Sequence, residues 1–75
     1  MKQNDGIRLL NELAGVLEKQ IEFVRHDDIA GVDELVGRGE QLAMKITAAG
    51  LLDMPQYDGW RDRLAGLYKD LQLML

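Results

Sequence analysis

Residues 7–24, IRLLNELAGVLEKQIEFV, decide the fold of this chain. Apolar side chains recur there at alternating spacings of three and four, as in a packed helix: Ile7, Leu10, Ala14, Leu17, Ile21 and Val24. A second apolar row lies beside the first and consists of Leu9, Leu13, Val16 and Phe23. At about 100° per residue the two rows merge into an apolar arc of roughly 160°. One partner helix cannot cover so wide an arc, so the sequence predicts at least two neighbouring helices.

The first break in this pattern comes at residues 26–28, His-Asp-Asp. The first helix is therefore predicted over about residues 5–26, and Asn4 or Asp5 is expected to cap its start. Asp28 or Asp27 is expected to cap a second helix over about residues 28–49. Because a link of two or three residues allows no other course, the two helices should form an antiparallel hairpin.

The second helix has a narrower apolar face that includes a glycine. Its inward positions are Val32, Leu35, Gly39, Leu42, Ile46 and Ala49. A glycine in a helix interior costs about 1 kcal/mol relative to alanine, so Gly39 needs a structural reason. Two interpretations are open: a neighbouring backbone approaches closely at Gly39, or the helix bends there.

A third helix is predicted over about residues 54–75. Gly50 fits a left-handed residue that closes the second helix, and residues 51–55 form the longest connection. Asp53 and Gln56 are spaced as a capping box, with Pro55 in the first turn. The apolar positions again alternate by three and four: Tyr57, Trp60, Leu64, Leu67, Leu71 and Met74. The sequence thus predicts an all-α antiparallel three-helix bundle, a helical hairpin plus a third helix, formed by residues 1–75 as a single domain.

Composition limits the classes of protein to consider. The chain has 75 residues, so it buries a small core and gains little stability from it. The net charge is −4 and the basic residues are scattered, which argues against a nucleic-acid partner. We expect no signal peptide and no membrane span, because no apolar run approaches about 20 residues. There is no cysteine, so a cytoplasmic location is the default expectation.

The residues offer little for catalysis. The chain has no cysteine, no serine and a single histidine, His26, which the pattern places in a turn. A catalytic site needs a nucleophile with a base, a tuned carboxylate pair or a metal cluster. We therefore predict no enzyme activity, no catalytic residue, no cofactor and no metal site.

The apolar surface exceeds what a short chain readily covers, and such a surface marks a partner or a self-association site. The second row of the first helix, Leu9, Leu13, Val16 and Phe23, should face either the third helix or a second copy of the chain. Self-association, as a homodimer, is therefore expected.

A resemblance to a known family suggests a function. Residues 9–46, LLNELAGVLEKQIEFVRHDDIAGVDELVGRGEQLAMKI, resemble the N-terminal helical hairpin of flagellar export chaperones of the FlgN and FliT kind. The shared features are the LL..L...LE.. opening, the Asp28-Ile29 turn and the L...GEQL...I pattern of the second helix. They cover about half of the chain.

The resemblance implies a cytoplasmic chaperone that shields a helical segment of a flagellar or other type III secretion substrate. Such a chaperone would bind a client helix by laying its apolar stripe in a groove. Because clients of this family bind towards the C-terminus, the resemblance places the docking surface on Leu67, Tyr68, Leu71, Met74 and Leu75. The alternative is a homo-oligomeric structural or regulatory bundle that has no export client.

Overall fold

The computed structural model describes residues 3–74, with side chains from Asp5 onwards. Within that part of the chain, three α-helices follow one another: α1 (Gln3–Arg25), α2 (Ile29–Ala48) and α3 (Asp58–Met74). Two 3₁₀ turns, Leu51–Asp53 and Pro55–Tyr57, connect α2 to α3, and these residues form no strand. The predicted all-α antiparallel three-helix bundle is confirmed.

The hairpin of α1 and α2 has the capping that the sequence suggests at its turn. Asp28 is the N-cap of α2, and its side chain accepts a hydrogen bond of 3.0 Å from the Gly31 amide. Asp27 reverses the chain with a φ of 56°, a left-handed conformation that aspartate tolerates better than most residues. At the start of α1 the prediction is wrong, because Asn4 and Asp5 already lie inside the helix.

α2 is one uninterrupted helix that continues through Gly39. Gly39 is buried against α1, and a Cβ atom on it would lie 3.5 Å from the Val16 Cγ1 atom. Gly39 therefore lies at an ordinary van der Waals contact between α2 and α1, and the helix continues through it. Gly50 closes α2 with a φ of 65°, as predicted.

The connection to α3 differs from the prediction. Pro55 opens a 3₁₀ turn and α3 begins only at Asp58, four residues later than expected. Leu51 and Tyr57 are both buried, so the connection packs onto the end of the bundle. A Cβ atom on Gly6 would lie 2.9 Å from the Tyr57 hydroxyl oxygen, which shows how closely the connection approaches α1. Inserting these two side chains into the core prevents an immediate α-helical start.

All three helices contribute to one hydrophobic core. Its buried members are Leu10, Leu13, Ala14, Val16, Leu17, Leu42, Ile46, Leu51, Tyr57 and Leu64. Two positions of α1 depart from the predicted pattern. Ile7 is 42% exposed, whereas Gln20 is only 3% exposed.

The second apolar row of α1 is covered differently from what the sequence suggested. Val16 packs against Gly39, and the Phe23 ring lies 2.8 Å from where a Cβ atom of Gly31 would be. Both side chains therefore contact α2, and self-association through this row stays a prediction. Leu13 is buried and Leu9 packs partly buried against the core. The apolar arc of α1 is wide enough for part of its second row to pack against α2 within the hairpin.

Candidate binding groove

α1 is the central helix of the bundle. α2 and α3 each pack along it, but they make scarcely any close contact with one another. Two helices that share a third as a floor, without meeting, enclose a groove. We call this feature the α2–α3 groove.

The first hollow of the groove lies near the connection and has a volume of about 310 Å³. Leu13 of α1 forms its floor, and the connection contributes Leu52. The walls come from Ala43, Ile46 and Thr47 of α2 and from Arg61, Leu64, Ala65 and Tyr68 of α3. The lining is mostly apolar, which suits a large hydrophobic side chain.

The second hollow continues the groove and has a volume of about 230 Å³. Its floor is Leu17 and Gln20, and its walls are Val36, Gly39, Glu40, Ala43, Tyr68 and Leu71. Ala43 and Tyr68 line both hollows and so mark the boundary between them. Both hollows exceed the roughly 150 Å³ that holds a benzene-sized group in a protein.

Polar groups are few and occupy separate places in the groove. At the first hollow, Arg61 donates a hydrogen bond to the Leu52 carbonyl oxygen and lies 3.5 Å from an Asp53 carboxylate oxygen. At the second hollow, Glu40 is exposed on the rim and Gln20 is buried in the floor. Among the described residues, no buried side-chain nitrogen or oxygen atom lacks a hydrogen-bond partner.

Tyr68 stands at the boundary between the hollows and is 42% exposed. Partial burial raises the pKa of its hydroxyl above the ordinary value, because the phenolate would lose hydration there. The hydroxyl therefore remains a neutral hydrogen-bond donor and acceptor across the physiological range. It adds a polar atom to the otherwise apolar middle of the groove.

Ion pairs join α2 and α3 to α1 on the outer sides of the bundle, away from the groove. Arg38 of α2 lies 3.5 Å from Glu12 of α1, and Arg63 of α3 lies 3.2 Å from Glu18 of α1. The Arg63 guanidinium also sits 4.9 Å from the centroid of the Trp60 ring. These exposed pairs add little stability singly, but each joins a wall helix to α1 and none joins α2 to α3.

The structure brings together only part of the predicted docking surface. Tyr68 and Leu71 line the groove. Leu67 packs partly buried against the core, and Met74 lies with Ile21 and Arg25 in a separate cleft. Leu75 lies outside the described residues.

Sequence reasoning missed the contributions of α1 and α2 to the groove. Gln20 gave one usable signal, because a polar residue at an inward-facing helical position is unusual and points to function or to a special contact. Ala43 and Gly39 gave a second signal, since small residues on an inward face leave space that a bulkier neighbour must otherwise fill.

Residues 3–74 contain neither a metal-binding cluster nor a membrane-spanning helix. The structure places no group of three or more histidine, cysteine, aspartate or glutamate side chains where they could hold a metal ion. In the same residues, no helix combines the length and apolar character that crossing a bilayer requires. Comparison with known proteins finds no matching family model, no matching curated protein and no matching solved structure.

Proposed function

We propose that this chain is a non-enzymatic protein-binding module that receives an amphipathic helix in the α2–α3 groove. The observation that carries the proposal is the open packing of the bundle, in which α2 and α3 flank α1 without closing on each other. A fourth helix laid in the groove would cover the exposed side chains of Val36 and Tyr68 on its walls. Helix-in-groove binding uses such an apolar trough and an apolar stripe on the ligand.

The dimensions of the groove agree with this use. The part of α2 that lines it runs from Val36 to Thr47. At 1.5 Å per residue this stretch is about 17 Å long, or roughly three helical turns. A partner helix would therefore present apolar residues on one face over three turns.

The more specific part of the proposal is a role as a cytoplasmic export chaperone. In this role the groove shields a helical segment of a flagellar or other type III secretion substrate before export. Support comes from the hairpin resemblance in residues 9–46 and from the position of Tyr68 and Leu71 in the groove. A gene position outside any flagellar or secretion cluster would argue against this role and leave the helix-binding module standing.

A substitution at the shared boundary of the hollows tests the docking surface. Ala43→Arg places a long side chain across both hollows and should weaken binding of a synthetic amphipathic leucine-rich helix by tenfold or more. Ala48→Arg is the matched control, because Ala48 is exposed on α2 and does not line the groove. Isothermal titration calorimetry measures both affinities, and circular dichroism checks that both variants fold. Equal binding by Ala43→Arg and the parent chain would show that the helix docks elsewhere.

The second candidate is the homo-oligomeric bundle, in which another copy of the chain covers the same apolar groove. Light scattering distinguishes the two. A helix-binding module should be a monomer that accepts the synthetic helix, whereas a structural dimer would keep its mass and leave the groove occupied.

A further inference from the structure

The two halves of α3 are anchored to the bundle very differently. In the first half Leu64 is buried, and Tyr57 is buried just before the helix begins. From residue 65 to residue 74 no side chain is fully buried. The half-buried ones are Leu67, Leu71 and Met74. Because burial of apolar side chains supplies most of the free energy that keeps a helix in place, the second half of α3 is held weakly.

The ion pairs of α3 are also confined to its first half. Arg61 lies 3.5 Å from Asp53 of the connection, and Arg63 lies 3.2 Å from Glu18 of α1. Among the described residues, no ion pair involves a residue from 65 to 74. The second half of α3 is therefore joined to α1 by partly buried apolar contacts.

Gly66 lies where the two halves of α3 meet, two residues after Leu64. A Cβ atom on Gly66 would meet no packed neighbour within 4 Å, so close packing does not require a glycine at this position. Glycine in a helix interior favours the unfolded backbone relative to alanine. The helix is therefore intrinsically weak at the point where its anchoring ends.

Two clefts separate the second half of α3 from α1. The second hollow of the groove is lined by Leu71 above a floor of Leu17 and Gln20. A further cleft, with a volume of about 300 Å³, is lined by Met74 and Ile21. The last two turns of α3 thus pack loosely over α1.

We infer that residues 66–74 form a lid that unfolds locally and reversibly about Gly66 while the rest of the bundle stays folded. Segments with few buried apolar contacts open at a lower free energy than the whole chain. Opening removes Tyr68 and Leu71 from the second hollow and exposes Leu17 and Gln20, which are both buried when the lid is closed. The lid thereby controls access to this part of α1. Its opening requires no partner helix, so it is independent of the proposed function.

Native-state hydrogen exchange in low concentrations of urea, read residue by residue by NMR, tests the lid. The backbone amides of residues 67–74 should share one opening free energy, lower than that of the amides in the core of α1 and α2. This opening should depend on urea, because it exposes apolar surface. Gly66→Ala should slow exchange of the lid amides about fivefold, the ratio expected for replacing glycine by alanine in a helix.

The matched control is Gly37→Ala. Gly37 is also exposed in a helix interior, with no packed neighbour within 4 Å of an added Cβ atom, but it lies in α2. Gly37→Ala should slow exchange in the core about fivefold and leave the lid amides unchanged. If it slows the lid amides as much as the core amides, α3 opens only with the whole chain and there is no lid. Protection that falls steadily towards Met74 without any dependence on urea would show fraying of the helix end and would also overturn the lid.

A thiol probe measures access to α1 directly, because the chain has no cysteine of its own. Gln20→Cys should react with a thiol reagent at a rate set by opening of the lid. In this background Gly66→Ala should slow the labelling about fivefold, whereas Gly37→Ala should not change it. Equal slowing by the two alanine substitutions would show that labelling requires global unfolding and would contradict the lid.

Discussion

Individual residues explain why the bundle packs closely on one side and stays open on the other. Gly31 lets α2 approach the Phe23 ring of α1, because a Cβ atom there would lie 2.8 Å from the ring. Across the groove, by contrast, Ala43 faces the larger Tyr68 and the two helices do not close. A small residue thus allows α2 to pack closely on α1 at Gly31. At Ala43 a small residue leaves a hollow, because the side chains of α3 do not fill the space.

The ionisation of Tyr68 makes the stability of the fold depend on pH in the alkaline range. Its raised pKa means that the folded chain holds a proton that the unfolded chain loses above about pH 10. The folded state then binds more protons, so the stability contribution is complete below that pH and is lost as pH rises through the folded-state pKa. Tyr68→Phe should lose less stability than the parent as pH rises above about 10, where the tyrosine of the unfolded chain ionises.

Urea unfolding at several alkaline pH values, followed by circular dichroism, measures this difference. The parent and the Tyr68→Phe variant share every other titrating group, so their difference isolates one hydroxyl. Identical pH dependence of the two chains would contradict the assigned cause.

At the scale of single elements, the start of α2 depends on one side chain. Asp28 accepts a hydrogen bond from the Gly31 amide, one of the amides that lack a partner at a helix start. Asp28→Ala should lower the free energy of unfolding by about 1 kcal/mol, whereas Asp28→Asn should stay within a few tenths, because asparagine also caps. Chemical denaturation compares the three chains. If alanine and asparagine give the same stability, the cap contributes nothing.

The sequence predicted elements with strong local signals and failed where tertiary packing decides. The alternating apolar positions located all three helices, and Asp28 and Gly50 marked two boundaries correctly. The start of α3 was four residues too early, because the capping-box spacing is local but the burial of Tyr57 against Gly6 is not. No local sequence pattern reports that Tyr57 packs against Gly6, because the two residues are far apart in the sequence.

The groove was predictable only on one wall. Tyr68 and Leu71 were named from the third helix, but the floor and the α2 wall depend on how far apart the two helices stand. Helical periodicity gives the direction of each side chain and not the distance between helices. Gln20 was visible in the sequence as a polar residue within the apolar arc. Its place in the groove floor could not be predicted, because it depends on which helices border it.

At the scale of the whole molecule, the core is small, so truncating any one of its large side chains lowers the free energy of unfolding by a large fraction. Leu10 is 0% exposed, and Leu10→Ala should lower the free energy of unfolding by about 2–5 kcal/mol. This is a large part of the total expected for a chain of this size. Met44→Ala, at a side chain 71% exposed, should change it by less than about 0.5 kcal/mol. Thermal unfolding by circular dichroism measures both, and a small loss for Leu10→Ala would contradict the placement of the core.

The connection between α2 and α3 gives the groove two unlike ends. The chain crosses from one wall to the other through Leu52, next to Arg61, whereas within residues 3–74 no backbone crosses between the start of α2 and the end of α3. A helix lying in the groove can therefore extend beyond the open end but stops at the crossing. In the proposed function, the crossing would set the distance between the end of a partner helix and the side chains that anchor it. Recognition would then depend on the distance of a motif from the end of a helix as well as on its composition.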